Sequence, residues 1–125
     1  MPMFVDPTDR VPVTLDGNTI WIRAKMSVKE KARIESEFSV IKEQAGDDAQ
    51  STATTSFGLY SMALLIENIV AWEGPAFVNA QGRPIPCNRV WIEKLDPHEP
   101  LIEMVREEIG LRNAKPAPPE DADPN

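Results

Sequence analysis

The stretch "FGLYSMALLIENIVAW", residues 57–72, constrains this chain most. Leu59, Met62, Leu65, Ile66, Ile69 and Val70 form a broad apolar face at helical spacing, and Phe57, Leu64 and Trp72 widen it. A helix that is apolar over most of its circumference has to be covered from several sides. The spacing predicts a central helix from about Thr54 to Trp72. Each fully buried large side chain in it contributes roughly 1.5–3 kcal/mol. Glu67 and Asn68 interrupt the run, which falls short of the roughly 20 apolar residues that cross a bilayer, so no membrane role is expected.

The remaining segments are read as the cover. In "VPVTLDGNTIWIR", residues 11–23, apolar residues alternate with polar ones on both sides of Asp16-Gly17-Asn18. Period-2 alternation around an Asp-Gly pair predicts a β-hairpin. Pro12 cannot donate a ladder hydrogen bond, so the first strand is expected at a sheet edge. Ser27 and Glu30 have capping-box spacing. The helix after them places Ile34, Phe38, Ile41 and Ala45 on one stripe, with Gly46 as its stop and "GDDAQSTATT" as a polar linker. Gly74-Pro75 ends the central helix. Ala76–Pro86 then reads as a small hairpin or loop turning at Ala80–Arg83. Asn88 is placed to cap a short helix from Arg89 to Leu95. Asp96 and Pro97 are placed to start a last helix, with Leu101 or Ile102, Val105 and Ile109 on one face and a stop at Gly110. The segment after Leu111 carries four prolines and no large apolar residue, and is expected to be disordered.

The 125 residues suit one domain with a modest core. The formal net charge of -7 and the absence of any Lys/Arg run argue against nucleic acid as a main partner. Cys87 is the only cysteine, which excludes an intramolecular disulfide and a multi-thiolate metal site. It fits a reducing compartment. The N-terminus "MPMFVDPTDR" lacks the pattern of a secretory signal. His98 is the only histidine and sits beside Pro97, where a solvated helix-start residue is the simple reading. The glycines form no nucleotide-cradling motif. No cofactor, metal or catalytic constellation is expected, so the chain reads as a non-enzyme.

The tryptophans are more informative. Trp72 closes the core, or its surroundings, with Phe77 and Ile85, offer an aromatic anchor to a partner. If Ile20 and Ile22 face the core, Trp21 faces outward, as a contact residue or covered by the N-terminal arm. Trp91 lies on the short helix after Asn88. Trp21, Trp72, Phe77, Ile85 and Trp91 are thus the candidate partner-binding residues.

The order of these features carries a resemblance. A hairpin "VTLDGNTIWIRAKMSVKEKARI" leads into a helix, and an apolar helix ends "IENIVAWEGPAF". A "QGRPIP" turn follows, then a helix ending at Leu95 and a last helix "LIEMVREEIG". This resembles the tail assembly chaperones of long-tailed bacteriophages and related prophages, over about Pro12 to Leu111. The motifs are fold-forming and not catalytic. The resemblance implies a mostly helical, non-enzymatic protein of the host cell cytoplasm. Such proteins bind the tape measure protein, help recruit tail tube subunits, and are usually absent from the finished virion. Many are made in two lengths by a programmed ribosomal frameshift.

The fold expected from all this is mainly α with a small N-terminal β-hairpin, an α+β arrangement built as a compact bundle of about four helices. An arm over residues 1–10, one globular domain over 11–111 and a disordered, proline-rich acidic tail over 112–125 complete it. Homo-oligomerisation is left open. The rival function is a structural tail or head-tail connector protein retained in the virion.

Overall fold

A computed structural model describes residues 3–44 and 52–114. Strand β1 (Arg10–Leu15) pairs antiparallel with β2 (Asn18–Arg23). Asp16 and Gly17, with φ of 54° and 80°, form the turn, as the Asp-Gly signal requires. Helices α1 (Val28–Gln44) and α2 (Thr52–Asn68) follow, then strand β3 (Ile69–Glu73) and a 3-10 turn at Pro75–Phe77. Short helix α3 (Arg89–Ile92) and helix α4 (Pro100–Asn113) end the described chain.

The expected helical bundle is corrected by β3. Residues 69–73 do not prolong the central helix; they add a third antiparallel strand in the order β1-β2-β3, so the molecule is a three-stranded sheet with helices packed on it. The switch has local causes. Ile69 and Val70 are β-branched, and Trp72 is aromatic, all suited to a pleated surface. The end of α2 is also capped. The Asn68 side chain donates to the Leu64 carbonyl at 2.9 Å, and the Arg23 guanidinium donates to the Glu67 carbonyl at 2.8 Å. These bonds satisfy carbonyls that a continuing helix would otherwise use. Arg23 also faces the Glu67 carboxylate at 3.6 Å, which Arg33 of α1 meets at 3.0 Å. A β2 residue therefore fixes where α2 stops.

Register sorts the side chains. Val13, Ile20 and Trp72 lie opposite one another across the three strands, as do Val11, Ile22 and Ile69. A bulge at Val70 lets both Ile69 and Trp72 share the inner face. Trp21 pairs with Pro12 and Ala71 on the outer face. The main core joins Val13, Ile20 and Ile22 to Leu65, Ile69, Phe77 and Ile92, and to Leu101, Ile102, Val105 and Ile109 of α4. A second, smaller cluster holds Met26, Ile34 and Ala63. As Pro12 implied, β1 is an edge strand.

Several boundaries differ from expectation. α2 begins at Thr52, inside the supposed linker. α3 stops at Ile92, with the Asn88 carbonyl oxygen of the side chain accepting from Trp91 N at 3.0 Å as its cap. α4 starts at Pro100 and not at Pro97. The Asp96 carboxylate accepts from His98 N at 2.9 Å and shapes a turn ahead of the helix. α4 also runs through Gly110 to Asn113, whose Nδ2 donates to the Ile109 carbonyl and whose Oδ1 accepts from Met26 N, both at 2.8 Å. The stripe positions Phe38, Ile41 and Ala45, the stop at Gly46, and Phe57 and Leu59 lie outside the residues described with side chains, as does the tail from residue 115.

The capping box forms in modified geometry. The Glu30 carboxylate accepts from Ser27 N at 3.0 Å and from the Ser27 hydroxyl at 2.7 Å. Those bonds, the backbone one first, hold the buried Glu30 carboxyl below the usual range, with Arg23 and Arg33 adding a smaller pull. A depressed folded-state pKa means stability that is present above the unfolded-state pKa and lost as pH falls through the folded-state value. Wild type should therefore lose its advantage over Glu30→Gln as pH drops below about 4. Urea denaturation of both proteins between neutral pH and pH 3 measures this. A constant difference across that range would contradict it.

Candidate functional site

The corner after β3 gathers three of the candidate residues. Gly74, with φ of 127°, turns the chain toward Pro75. Phe77 N donates to the Gly74 carbonyl at 2.9 Å, and Ile85 N donates to the Phe77 carbonyl at 2.8 Å. Trp72 and Phe77 stack with centroids 4.8 Å apart and planes 8° from parallel. The Trp72 Nε1–H donates to the Ile85 carbonyl at 2.8 Å. Phe77 is buried, and Trp72 and Ile85 are half-buried. The intervening loop turns at Gly82, where the Asn79 side-chain oxygen accepts from Gln81 N and Arg83 N at 2.9 and 3.0 Å.

This corner is tied to the far hairpin. Asn18 Oδ1 accepts from Ala76 N at 2.8 Å. A Cβ on Gly74 would lie 2.5 Å from that oxygen and 2.7 Å from both Asn18 Cα and the Gly17 carbonyl oxygen. The sequence marks Gly74-Pro75 as a breaker but does not show that it must nest against the Asp16–Asn18 turn. Trp72→Phe should cost about 1–2 kcal/mol by leaving the Ile85 carbonyl without its indole donor. Thermal and urea denaturation of this variant are the checks.

The other two candidates lie elsewhere. Trp21 is half-buried on the outer sheet face, with Thr14 and Thr19 on the same face at 3.1 Å between their hydroxyl oxygens. Trp91 is half-buried on α3, and Lys94 Nζ sits 4.6 Å over its ring. The structure therefore unites Trp72, Phe77 and Ile85 and leaves Trp21 on the opposite side of the sheet.

Residues that the sequence brought up for chemistry have structural settings. Cys87 is half-buried beside the main core, and burial pushes its thiol up, lowering the thiolate fraction at neutral pH. His98 is exposed in the turn before α4. Among the described residues, no group of three or more His, Cys, Asp or Glu is placed to hold a metal ion. No described helix is long and apolar enough to cross a membrane.

A second feature was not legible in sequence. An open cleft of about 350 Å³ lies among α1, α2 and α4, lined by Met26, Ile34, Tyr60, Leu64, Ile109 and Asn113, with Lys31, Glu35 and Gly110 at its sides. Behind it, Asn68 is fully buried, donating to Leu64 O and to Met26 Sδ at 3.3 Å, while its Oδ1 has no hydrogen-bond partner among the described residues. The missed signal was Asn113, an Asn just past the expected helix stop.

No family model matches the chain, and no curated protein or solved structure matches it.

Proposed function

We propose that this chain is a non-enzymatic tail assembly chaperone of a long-tailed bacteriophage or prophage. It binds the tape measure protein in the host cytoplasm and helps recruit tail tube subunits. The reading rests on the motif order that carries the family resemblance. Within that order the segment expected to end a helix at Trp72 is strand β3, and the fold is a sheet with helices packed on it, not a mostly helical one. The observation that supports it best is the Gly74-Pro75 corner, where Trp72, Phe77 and Ile85 lock together against the hairpin turn. That corner gives the resembling motifs a packing task, as fold-forming motifs require. A chain of net charge -7 also resists self-association while it holds an aggregation-prone partner. Cys87, with its raised pKa, suits a packing role better than a nucleophilic one.

Within this reading the half-exposed rings of Trp21 and Trp91 are available to a partner, and Trp72, Phe77 and Ile85 hold the surface in shape. The test is to quantify the chain in lysate and in purified particles from the same infection. A chaperone is abundant in lysate and missing from particles. Stoichiometric retention in particles would replace it with the structural tail or head-tail reading.

A further inference from the structure

Helix α2 and strand β3 meet with no residue between them: Asn68 ends one and Ile69 begins the other. In a regular strand, residues two apart share a face. In β3 the bulge at Val70 instead sets Ile69 opposite Ile22 and Trp72 opposite Ile20, so the two inward side chains are three apart. Leu65 of α2 lies four residues before Ile69, and all three belong to the main core or pack against it. Leu65, Ile69 and Trp72 thus keep the spacing of one helix face, although the backbone of the last two is extended.

The same five residues therefore suit two backbones, and the bonds at the junction choose between them. A helix continuing past Asn68 needs the Glu67 carbonyl for Ala71 N. Arg23 Nε occupies that carbonyl at 2.8 Å, and its Nη2 faces the Glu67 carboxylate at 3.6 Å. β3 in turn pairs with β2 alone among the described strands. The junction also carries a penalty as it stands. Asn68 is fully buried, and its Oδ1 accepts no hydrogen bond among the described residues. A buried acceptor left unpaired weakens the state that contains it.

We propose that residues 69–73 are a conformational switch: strand β3 while Arg23 holds the Glu67 carbonyl, and a continuation of α2 when it lets go. The five residues span about 16 Å as a strand and about 8 Å as a helix, so switching draws the Gly74 corner toward α2. The bonds from Ala76 N to Asn18 and from Trp72 Nε1 to the Ile85 carbonyl part in the same step. The Thr19–Ile22 edge of β2 is then bared to pair with another strand. The switch is independent of what the chain binds.

Arg23→Met removes the donor and keeps a long apolar stem in its place. Val105→Ala, at a fully buried position of α4, is the control for simple loss of stability. Val70→Ala leaves Arg23 intact and exchanges a β-branched residue for the best helix former at the bulge. Cα chemical shifts report the backbone of residues 69–73, and amide hydrogen exchange reports the β2–β3 ladder. Relaxation dispersion detects a minor state in wild type and in Val70→Ala.

In Arg23→Met the Cα shifts of Ile69–Glu73 are expected to move from strand to helix values. The β3 amides bonded to β2 exchange at least about tenfold faster, while Ile102 and Val105 of α4 keep their protection. Val105→Ala shows no helical shift at residues 69–73. Val70→Ala enlarges a helical minor state that wild type already samples. Strand shifts retained in Arg23→Met, lost protection without helical shifts, or the same response in Val105→Ala would overturn the proposal. Should Arg23→Met not fold, wild type and Val70→Ala decide the matter. Exchange with helical shifts at residues 69–73 supports the switch, and its absence from both overturns it.

Discussion

Gly74→Ala is expected to destabilise the protein by about 2–4 kcal/mol, a large part of a small domain's stability. Two costs combine. The residue has φ of 127°, which a residue with a Cβ adopts only under strain. The added carbon would also meet Asn18 Oδ1, Asn18 Cα and the Gly17 carbonyl oxygen at 2.5–2.7 Å. Two of those three contacts are backbone atoms, so a rotamer change cannot relieve them. The double variant Asn18→Ala, Gly74→Ala should therefore stay close to Gly74→Ala in stability and not recover. Asn18→Ala alone loses the bond from Ala76 N and should cost about 1 kcal/mol. Urea denaturation of the three variants measures each quantity. A Gly74→Ala protein as stable as wild type would refute the nested corner.

Ile20→Ala should cost about 2–5 kcal/mol, and Trp21→Ala no more than about 1.5 kcal/mol, although Trp21 is the larger residue. Ile20 has no exposure and lies between Val13 and Trp72 on the inner face, within the cluster that α4 completes. Truncating it leaves a cavity in a close-packed interior. Trp21 points the other way, over Pro12 and Ala71. Reversal of the two costs would place the sheet's faces the wrong way round.

The hairpin was legible because its signals are local. Asp16-Gly17 sets the turn, alternation sets the faces, and Pro12 marks the edge. The capping role of Glu30 was visible from spacing alone. The same local reading failed at Ile69–Glu73. Apolar residues there fit a helical face and a strand face equally well, and the deciding contacts come from β2, 44 residues back from Glu67 through Arg23. That failure turned a mixed sheet-and-helix fold into an expected bundle.

Asp96 and Gly110 failed for a related reason. Each is a common helix boundary residue, but Pro100 starts α4 and the bonds of Asn113 extend it. Among candidate site residues, the grouping of Trp72, Phe77 and Ile85 follows the chain and could be anticipated. The outward placement of Trp21 followed from alternation. The cleft could not, since Met26, Tyr60 and Asn113 are brought together from separate elements and none stands out by composition.

Co-expression of this chain with the tape measure protein encoded in the same genome, followed by fractionation and pull-down, is the decisive measurement. The chaperone reading predicts that the tape measure protein is insoluble alone and recovered in a soluble complex with this chain. A tape measure protein that stays insoluble in its presence, with none captured, would contradict that reading.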